Sequence, residues 1–196
     1  MAHLNDQISA VELHIILREL KACLKNTNEG DIVELGCYKG FTSLELQRTA
    51  EMVAPNRQLF VYDSFAGLPP KAQKDSSPMG TQFMPGELPA SKKEVIRLFK
   101  QANTTMPYIK KAWFSDLGPA DMPDKIAFAF LDGDFYESVK DSLRLVWPRL
   151  VPGAVIIVDD YQNAALPGAQ KAVDEWLANH RCHFRIEASL VIMKYV

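Results

Sequence analysis

Residues 126–160 read IAFAFLDGDFYESVKDSLRLVWPRLVPGAVIIVDD. Two uninterrupted apolar runs, Ile126 to Leu131 and Ala154 to Val158, each stop at an aspartate. Between them, Tyr136 to Leu150 spaces its apolar residues as a helix does, until Pro152-Gly153 stops the pattern. Short apolar runs without polar alternation suit strands buried on both faces. Two such strands joined by a helix form the repeating unit of a parallel sheet.

The same alternation extends in both directions. Upstream, Ile8 to Leu24 reads as an amphipathic helix within a helical segment 1–30, and Asp31 to Leu35 as a short buried strand closing at Gly36. Thr42 to Glu51 reads as a helix, QLFVYD as a strand ending at Asp63, Lys92 to Gln101 as a helix, and YIKKAWF (108–114) as a strand. Downstream, Gly168 to Asn179 reads as a helix, and CHFRIEA (182–188) and LVIMKYV (190–196) as two strands with a short connection. Alternating strands and helices predict an α/β fold whose parallel sheet is covered on both faces, with an antiparallel hairpin at one edge. The interruption is GLPPKAQKDSSPMGTQFMPGELPAS, residues 67–91, which lacks either periodicity and reads as a long lid or binding loop.

A chain of 196 residues suits one domain, 1–196, around one core. Its 22 basic and 24 acidic side chains leave a net charge of -2, so no positive excess exists to attract nucleic acid or an anionic membrane. The first twenty residues carry apolar positions at helical spacing among charges rather than as a signal peptide, and no apolar run approaches the length of a membrane-spanning helix. Cys23, Cys37 and Cys182 form no CxxC pair, which fits a reducing, cytoplasmic setting. The sequence leaves room for a homo-oligomer.

Where the first strand ends, Val33-Glu34-Leu35-Gly36-Cys37-Tyr38-Lys39-Gly40 places an acidic residue before two glycines and a helix. In doubly wound sheets small molecules bind outside the carboxyl ends of the strands, so this turn is the expected mouth of a cofactor site. A strand–helix turn can also need glycine for backbone reasons alone. Asp63, ending the second strand, stands where such folds place a carboxylate for ribose hydroxyls. Gly36-x-x-x-Gly40 lacks the middle glycine of GxGxxG that admits a pyrophosphate, which disfavours a dinucleotide. S-adenosylmethionine needs no phosphate cradle.

If the strands ending at Leu131 and Val158 are neighbours, their ends lie about 5 Å apart, and Asp132, Asp159 and Asp160 reach one ion. Carboxylates this close repel unless a cation compensates, and an all-oxygen set suits Mg²⁺ or another hard divalent cation rather than zinc. Asp134 is open to a different reading, as a cap for the helix beginning near Tyr136. His180 and His183 beside Cys182 read as solvated or packing residues.

Taken together, GDIVELGCYKG, VYDSFAGLP, KKAWFSDLGP, FLDGDFYESVKDSLRLVWPRLVPGAVIIVDDY and GAQKAVDEW resemble the macrocin O-methyltransferase family from Gly30 to Trp176. The resemblance implies a class I methyltransferase fold: a mostly parallel seven-stranded sheet, helices on both faces and an antiparallel last strand. It implies that Glu34, Gly36, Tyr38, Gly40 and Ser43 surround the methionine part of S-adenosylmethionine, Asp63 and Ser64 the ribose, and Trp113, Phe114 and Asp116 the adenine. Asp132, Asp159 and Asp160 match the family's metal ligands, with Asp132 also beside the cofactor, and Asp134 matches a proposed general base. The sequence departs from the family in a short N-terminal region and in Ala112, where glycine is usual.

The expected reaction is methyl transfer to a hydroxyl of a small molecule, such as a natural-product sugar of antibiotic biosynthesis, with Mg²⁺ lowering the hydroxyl pKa and Asp134 taking the proton. Two other readings compete with this one. A haloacid-dehalogenase-type phosphotransferase also ends an apolar strand in DxD, but it expects Thr or Val where this chain has Tyr136. A non-catalytic S-adenosylmethionine-binding module would not need the full aspartate set.

Overall fold

A computed structural model describes residues 7–79 and 83–196; residues 1–6 of the N-terminal segment and 80–82 of the long loop lie outside the described residues. The described elements are α1 (Ala10–Asn26), β1 (Asp31–Leu35), α2 (Phe41–Val53), β2 (Leu59–Asp63), α3 (Lys92–Ala102), β3 (Tyr108–Lys111), β4 (Ile126–Leu131), α4 (Tyr136–Val146), β5 (Leu150–Val158), α5 (Pro167–Leu177), β6 (His183–Glu187) and β7 (Leu190–Lys194).

The seven strands form one sheet in the order β3-β2-β1-β4-β5-β7-β6. Neighbours from β3 to β5 pair in parallel, while β7 runs antiparallel to both β5 and β6. All six residues of β4 are buried, so both faces of the sheet are covered at its centre. α1 packs over β4 and β5 and against α2, and α4 packs on β4 and against α5. Phe128 and Phe130 are fully enclosed, each contributing roughly 1.5–3 kcal/mol of apolar burial. β6, exposed along its length apart from its last residue, forms one edge of the sheet.

Element boundaries follow local chemistry. α1 starts at Ala10 because Ser9 caps it: the Ser9 hydroxyl accepts the Glu12 N–H, and the Glu12 carboxylate accepts the Ser9 N–H. The expected helix 136–150 is α-helical only to Val146. Pro148 has no N–H to offer, and Trp147–Arg149 form a 3₁₀ turn before β5. β5 starts at Leu150, earlier than the apolar run suggests, and carries Pro152 and Gly153 within it. The strand expected over 108–114 stops at Lys111, and Phe114–Asp116 turn into a 3₁₀ helix. Among the described residues, no helix is long and apolar enough to cross a membrane.

The chain order reverses between β1 and β4, and there the strand ends open into a crevice. Ladder bonds continue one residue past the strands: Gly36 N–H to Tyr62 O at 2.9 Å, Asp132 N–H to Leu35 O at 2.8 Å and Asp159 N–H to Leu131 O at 3.0 Å. Gly36, Asp132 and Asp159 therefore stand in a row at the carboxyl edge. A Cβ on Gly36 would overlap the Asp132 carbonyl, at 2.8 Å from its carbon, and φ is +93°. Glycine at this position is a condition of bringing the two strand ends together.

Candidate active site

At this edge lies a cavity of about 280 Å³. One wall is the turn after β1, with Glu34, Gly36, Cys37, Tyr38 and Thr42, facing Asp63, Ser64, Trp113 and Phe114. The floor is acidic, formed by Asp132, Asp134, Asp159 and Asp160. The far wall is apolar: Leu68, Phe83 and Leu88 from the long loop and Leu166 before α5. Leu68 and Leu166 pack with Phe135 in a small cluster separate from the main core.

Glu34 is fully buried, and its Oε2 accepts a hydrogen bond from the Ser43 hydroxyl. Its Oε1 has no partner among the described residues. Burial pushes the carboxyl up to about 8; the Ser43 bond opposes that rise, and the charge of Asp63 adds to it. Ser43 thus stands behind Glu34 and outside the cavity lining. Gly40 also stands off the wall. It begins α2 at φ +83°, and a Cβ there would meet Val95 of α3 at 2.8 Å, so its smallness serves the turn and helix packing.

Asp63 accepts three backbone N–H bonds, from Cys37 at 2.8 Å and Tyr38 at 3.0 Å on Oδ2, and from Phe65 at 2.7 Å on Oδ1. The carboxylate is therefore first a clamp on the turn in which Tyr38 holds φ +48°. With about four acceptor sites on a carboxylate, one remains for a ligand hydroxyl. The Ser64 hydroxyl donates to Gly67 O at 3.3 Å. Trp113 and Phe114 line the cavity, but Asp116 is exposed and stands outside the lining, because the chain turns into the 3₁₀ helix there.

In the acidic floor, carboxylate oxygens of Asp132, Asp134 and Asp160 lie within 4.8 Å of one another. Asp134 and Asp160 both hold left-handed backbone, φ +56° and +57°, a conformation aspartate tolerates better than most residues. That conformation brings Asp134 into the group. The alternative role open to Asp134, capping α4, falls instead to Asp75: its Oδ1 accepts the Tyr136 N–H at 2.7 Å and its Oδ2 the Ala72 N–H at 2.9 Å. Asp159 stands beside the trio. Its Oδ1 accepts the Asp160 N–H at 2.9 Å. Asp160 Oδ1 accepts the Asn163 side-chain amide at 2.7 Å.

Burial, reinforced by their mutual repulsion, holds Asp132 and Asp159 well above the usual carboxylate range and Asp134 at about 8. Asp160 is also raised by burial, with the Asn163 bond opposing. Four carboxyls raised together form a site that a cation would relieve. The sequence alone did not mark Thr42, Asn163 or Leu166, and it marked Leu68, Phe83 and Leu88 only as part of the 67–91 loop, because these residue types are ordinary for any loop or helix end. Asp75 gave no local signal either, since its partner lies 61 positions away.

Comparison with known proteins places the chain in a family. The macrocin O-methyltransferase (TylF) family matches residues 12–191. The chain belongs to the macrocin O-methyltransferase family. Within that family, it is 29% identical over 172 residues to demethyldecarbamoylnovobiocin O-methyltransferase of Streptomyces niveus, covering 83% of this chain and 65% of that protein. It is 28% identical over 170 residues to mycinamicin III 3''-O-methyltransferase of Micromonospora griseorubida, covering 82% and 65%. The chain thus spans slightly less than two thirds of these relatives. Among solved structures it resembles the O-methyltransferase NovP, with a TM-score of 0.76 and 28% identity over 92% of this chain and 79% of that one. The calicheamicin methyltransferase CalS11 shares the fold at a TM-score of 0.79 and 19% identity, over 96% of this chain and 81% of that one. Family and fold together set the haloacid-dehalogenase reading aside.

Proposed function

We propose that this member of the macrocin O-methyltransferase family transfers a methyl group from S-adenosylmethionine to a hydroxyl of a small molecule, a natural-product sugar or related metabolite, with a divalent cation on the aspartates. The observation that carries this reading is that Glu34 and the acidic floor open into one cavity with an apolar far wall.

The residues fit the cofactor. A buried carboxylate oxygen without a partner is costly, and Glu34 Oε1 calls for the donor that the cofactor's ammonium group supplies. Asp63, Ser64, Trp113 and Phe114 line the same cavity, where the two aromatic residues would hold the purine and the two polar residues the ribose hydroxyls. The donor set on the floor is all carboxylate and suits Mg²⁺. We assign the cation to Asp132, Asp159 and Asp160 and the proton to Asp134.

When bound, the cofactor supplies an electrophilic methyl and the cation a positive charge that lowers the pKa of a nearby hydroxyl. The chain does the rest. Leu68, Phe83, Leu88 and Leu166 hold the acceptor's apolar body against the floor and keep water out. Asp134 would accept the hydroxyl proton, and the turn clamped by Asp63 would hold the methyl donor in place. The 67–91 loop, anchored at Asp75, acts as the lid through residues 83–91.

Calorimetry with S-adenosylhomocysteine, Mg²⁺ and NADH, followed by methyl-transfer assays on hydroxylated glycosides with and without EDTA, tests this. Binding of the first two, none of NADH, and EDTA-sensitive transfer are expected. Tight NADH binding without S-adenosylhomocysteine would overturn the cofactor, and EDTA-resistant transfer would overturn the cation. Cofactor binding with no transfer to any acceptor would favour a non-catalytic binding module.

A further inference from the structure

The cation assignment leaves one hydroxyl of the chain in an unusual position. Ser189, in the turn between β6 and β7, hydrogen-bonds through its hydroxyl to Glu12 Oε1 on α1, and the same oxygen lies 3.4 Å from Asp159 Oδ1. A serine hydroxyl has one proton, and here two carboxylates compete for it. The close contact belongs to Glu12.

Both sides of this arrangement are fixed from elsewhere. Glu12 cannot easily swing away, because its Oε2 accepts the Ser9 N–H at 2.8 Å in the cap of α1. The Ser189 backbone carbonyl accepts the Gln162 N–H at 3.1 Å, which ties the β6–β7 turn to the loop carrying Asp159 and Asp160. Asp159 itself is buried, with its Oδ1 already accepting the Asp160 N–H.

We propose that Glu12 is a positioning residue for the acidic floor: it holds the Ser189 proton away from Asp159, so that Asp159 Oδ1, which already accepts the Asp160 N–H, takes no second hydrogen bond and Asp159 stays the stronger ligand for a divalent cation. This rests on the cation reading above. Without the Glu12 acceptor, the Ser189 hydroxyl turns to Asp159, and a carboxylate engaged by this second donor is a weaker ligand than one holding the Asp160 N–H alone. Groups that orient or tune metal ligands in this way typically change affinity 10–100-fold when replaced.

Glu12→Gln is the informative change. Its amide oxygen can still accept the Ser9 N–H, which keeps the helix cap, but its NH₂ then faces Ser189 and drives the serine proton toward Asp159. Mn²⁺ affinity, read by calorimetry and by the electron paramagnetic resonance of the free ion, is compared in the unmodified chain, two single variants and the double variant. Glu12→Gln should bind Mn²⁺ roughly tenfold more weakly. Ser189→Ala should stay within about twofold of the unmodified protein, because no proton is left to compete. The double variant should recover most of the loss.

A double variant as weak as Glu12→Gln would show that only the charge of Glu12 matters and would overturn the proposal, as would four equal affinities. Absence of Mn²⁺ binding in the unmodified protein would instead show that the cation reading has failed, and this inference with it. Thermal unfolding of each variant separates a folding defect from a change at the site.

Discussion

Replacing Gly168 by alanine should open the contact that ties the long loop to the base of the acidic floor. Gly168 is the second residue of α5, and its Cα lies against Asp75 and the start of α4. An added Cβ would overlap Asp75 Oδ1, at 3.0 Å from Asp75 Cγ and 2.7 Å from the Tyr136 nitrogen. The last contact is with backbone and cannot be relieved by a rotamer. Asp75 must withdraw, leaving the Tyr136 N–H, a helix-start donor, without its acceptor.

Losing a buried hydrogen bond to a charged group costs about 1.5–3 kcal/mol. Alanine in place of glycine within a helix returns up to about 1 kcal/mol. With the full helix gain the net loss is about 0.5–2 kcal/mol, a fall in Tm of roughly 1–8 °C for a chain of this size. Urea unfolding of Gly168→Ala, Asp75→Ala and the double variant measures it. Once Asp75 is truncated the overlap with its carboxylate is gone and only the contact with the Tyr136 nitrogen remains, so the second substitution should add less than Gly168→Ala costs by itself. A Gly168→Ala protein as stable as the unmodified one, or a double variant with strictly additive losses, would refute the reasoning.

Asp63→Asn should lower stability by about 1–3 kcal/mol as well as S-adenosylhomocysteine affinity, because either amide orientation points an NH₂ at a backbone N–H; unchanged urea midpoints would remove the clamp. Glu34 titrates near 8 in the folded chain against an ordinary 4.5, so the unfolded chain releases this proton first and the ligand-free fold loses stability as pH rises from 4.5 toward 8. Glu34→Gln should lose less between pH 5 and 8 than the unmodified protein, and equal losses would place the titration elsewhere. Asp134→Asn should lose turnover while S-adenosylhomocysteine and Mg²⁺ still bind, and added Mg²⁺ should not help; full turnover would move the proton to another group. In hydrogen exchange without ligand, the Asp75 N–H, bonded to Ala72 O, should be protected, with ligand-dependent change confined to residues 83–91; equal exchange across the loop would show that Asp75 does not anchor it.

The alternation of apolar strands with amphipathic helices determined the α/β fold, since each element's period is written in adjacent residues and needs no distant partner. The ends of β1, β2, β4 and β5 were legible for the same reason: an apolar run stops at Gly36, Asp63, Asp132 or Asp159, and in a parallel sheet those stops must share one edge. The tertiary structure decided what each polar group does there. Asp63 spends most of its capacity on backbone N–H groups, Gly40 and Ser43 work from behind the wall, and Asp134 joins the floor through a left-handed backbone angle. Asp75 reaches α4, and Glu12 reaches Ser189 across 177 positions. Such contacts depend on packing between segments far apart in the chain, and a carboxylate carries no mark in the sequence of which donor will meet it.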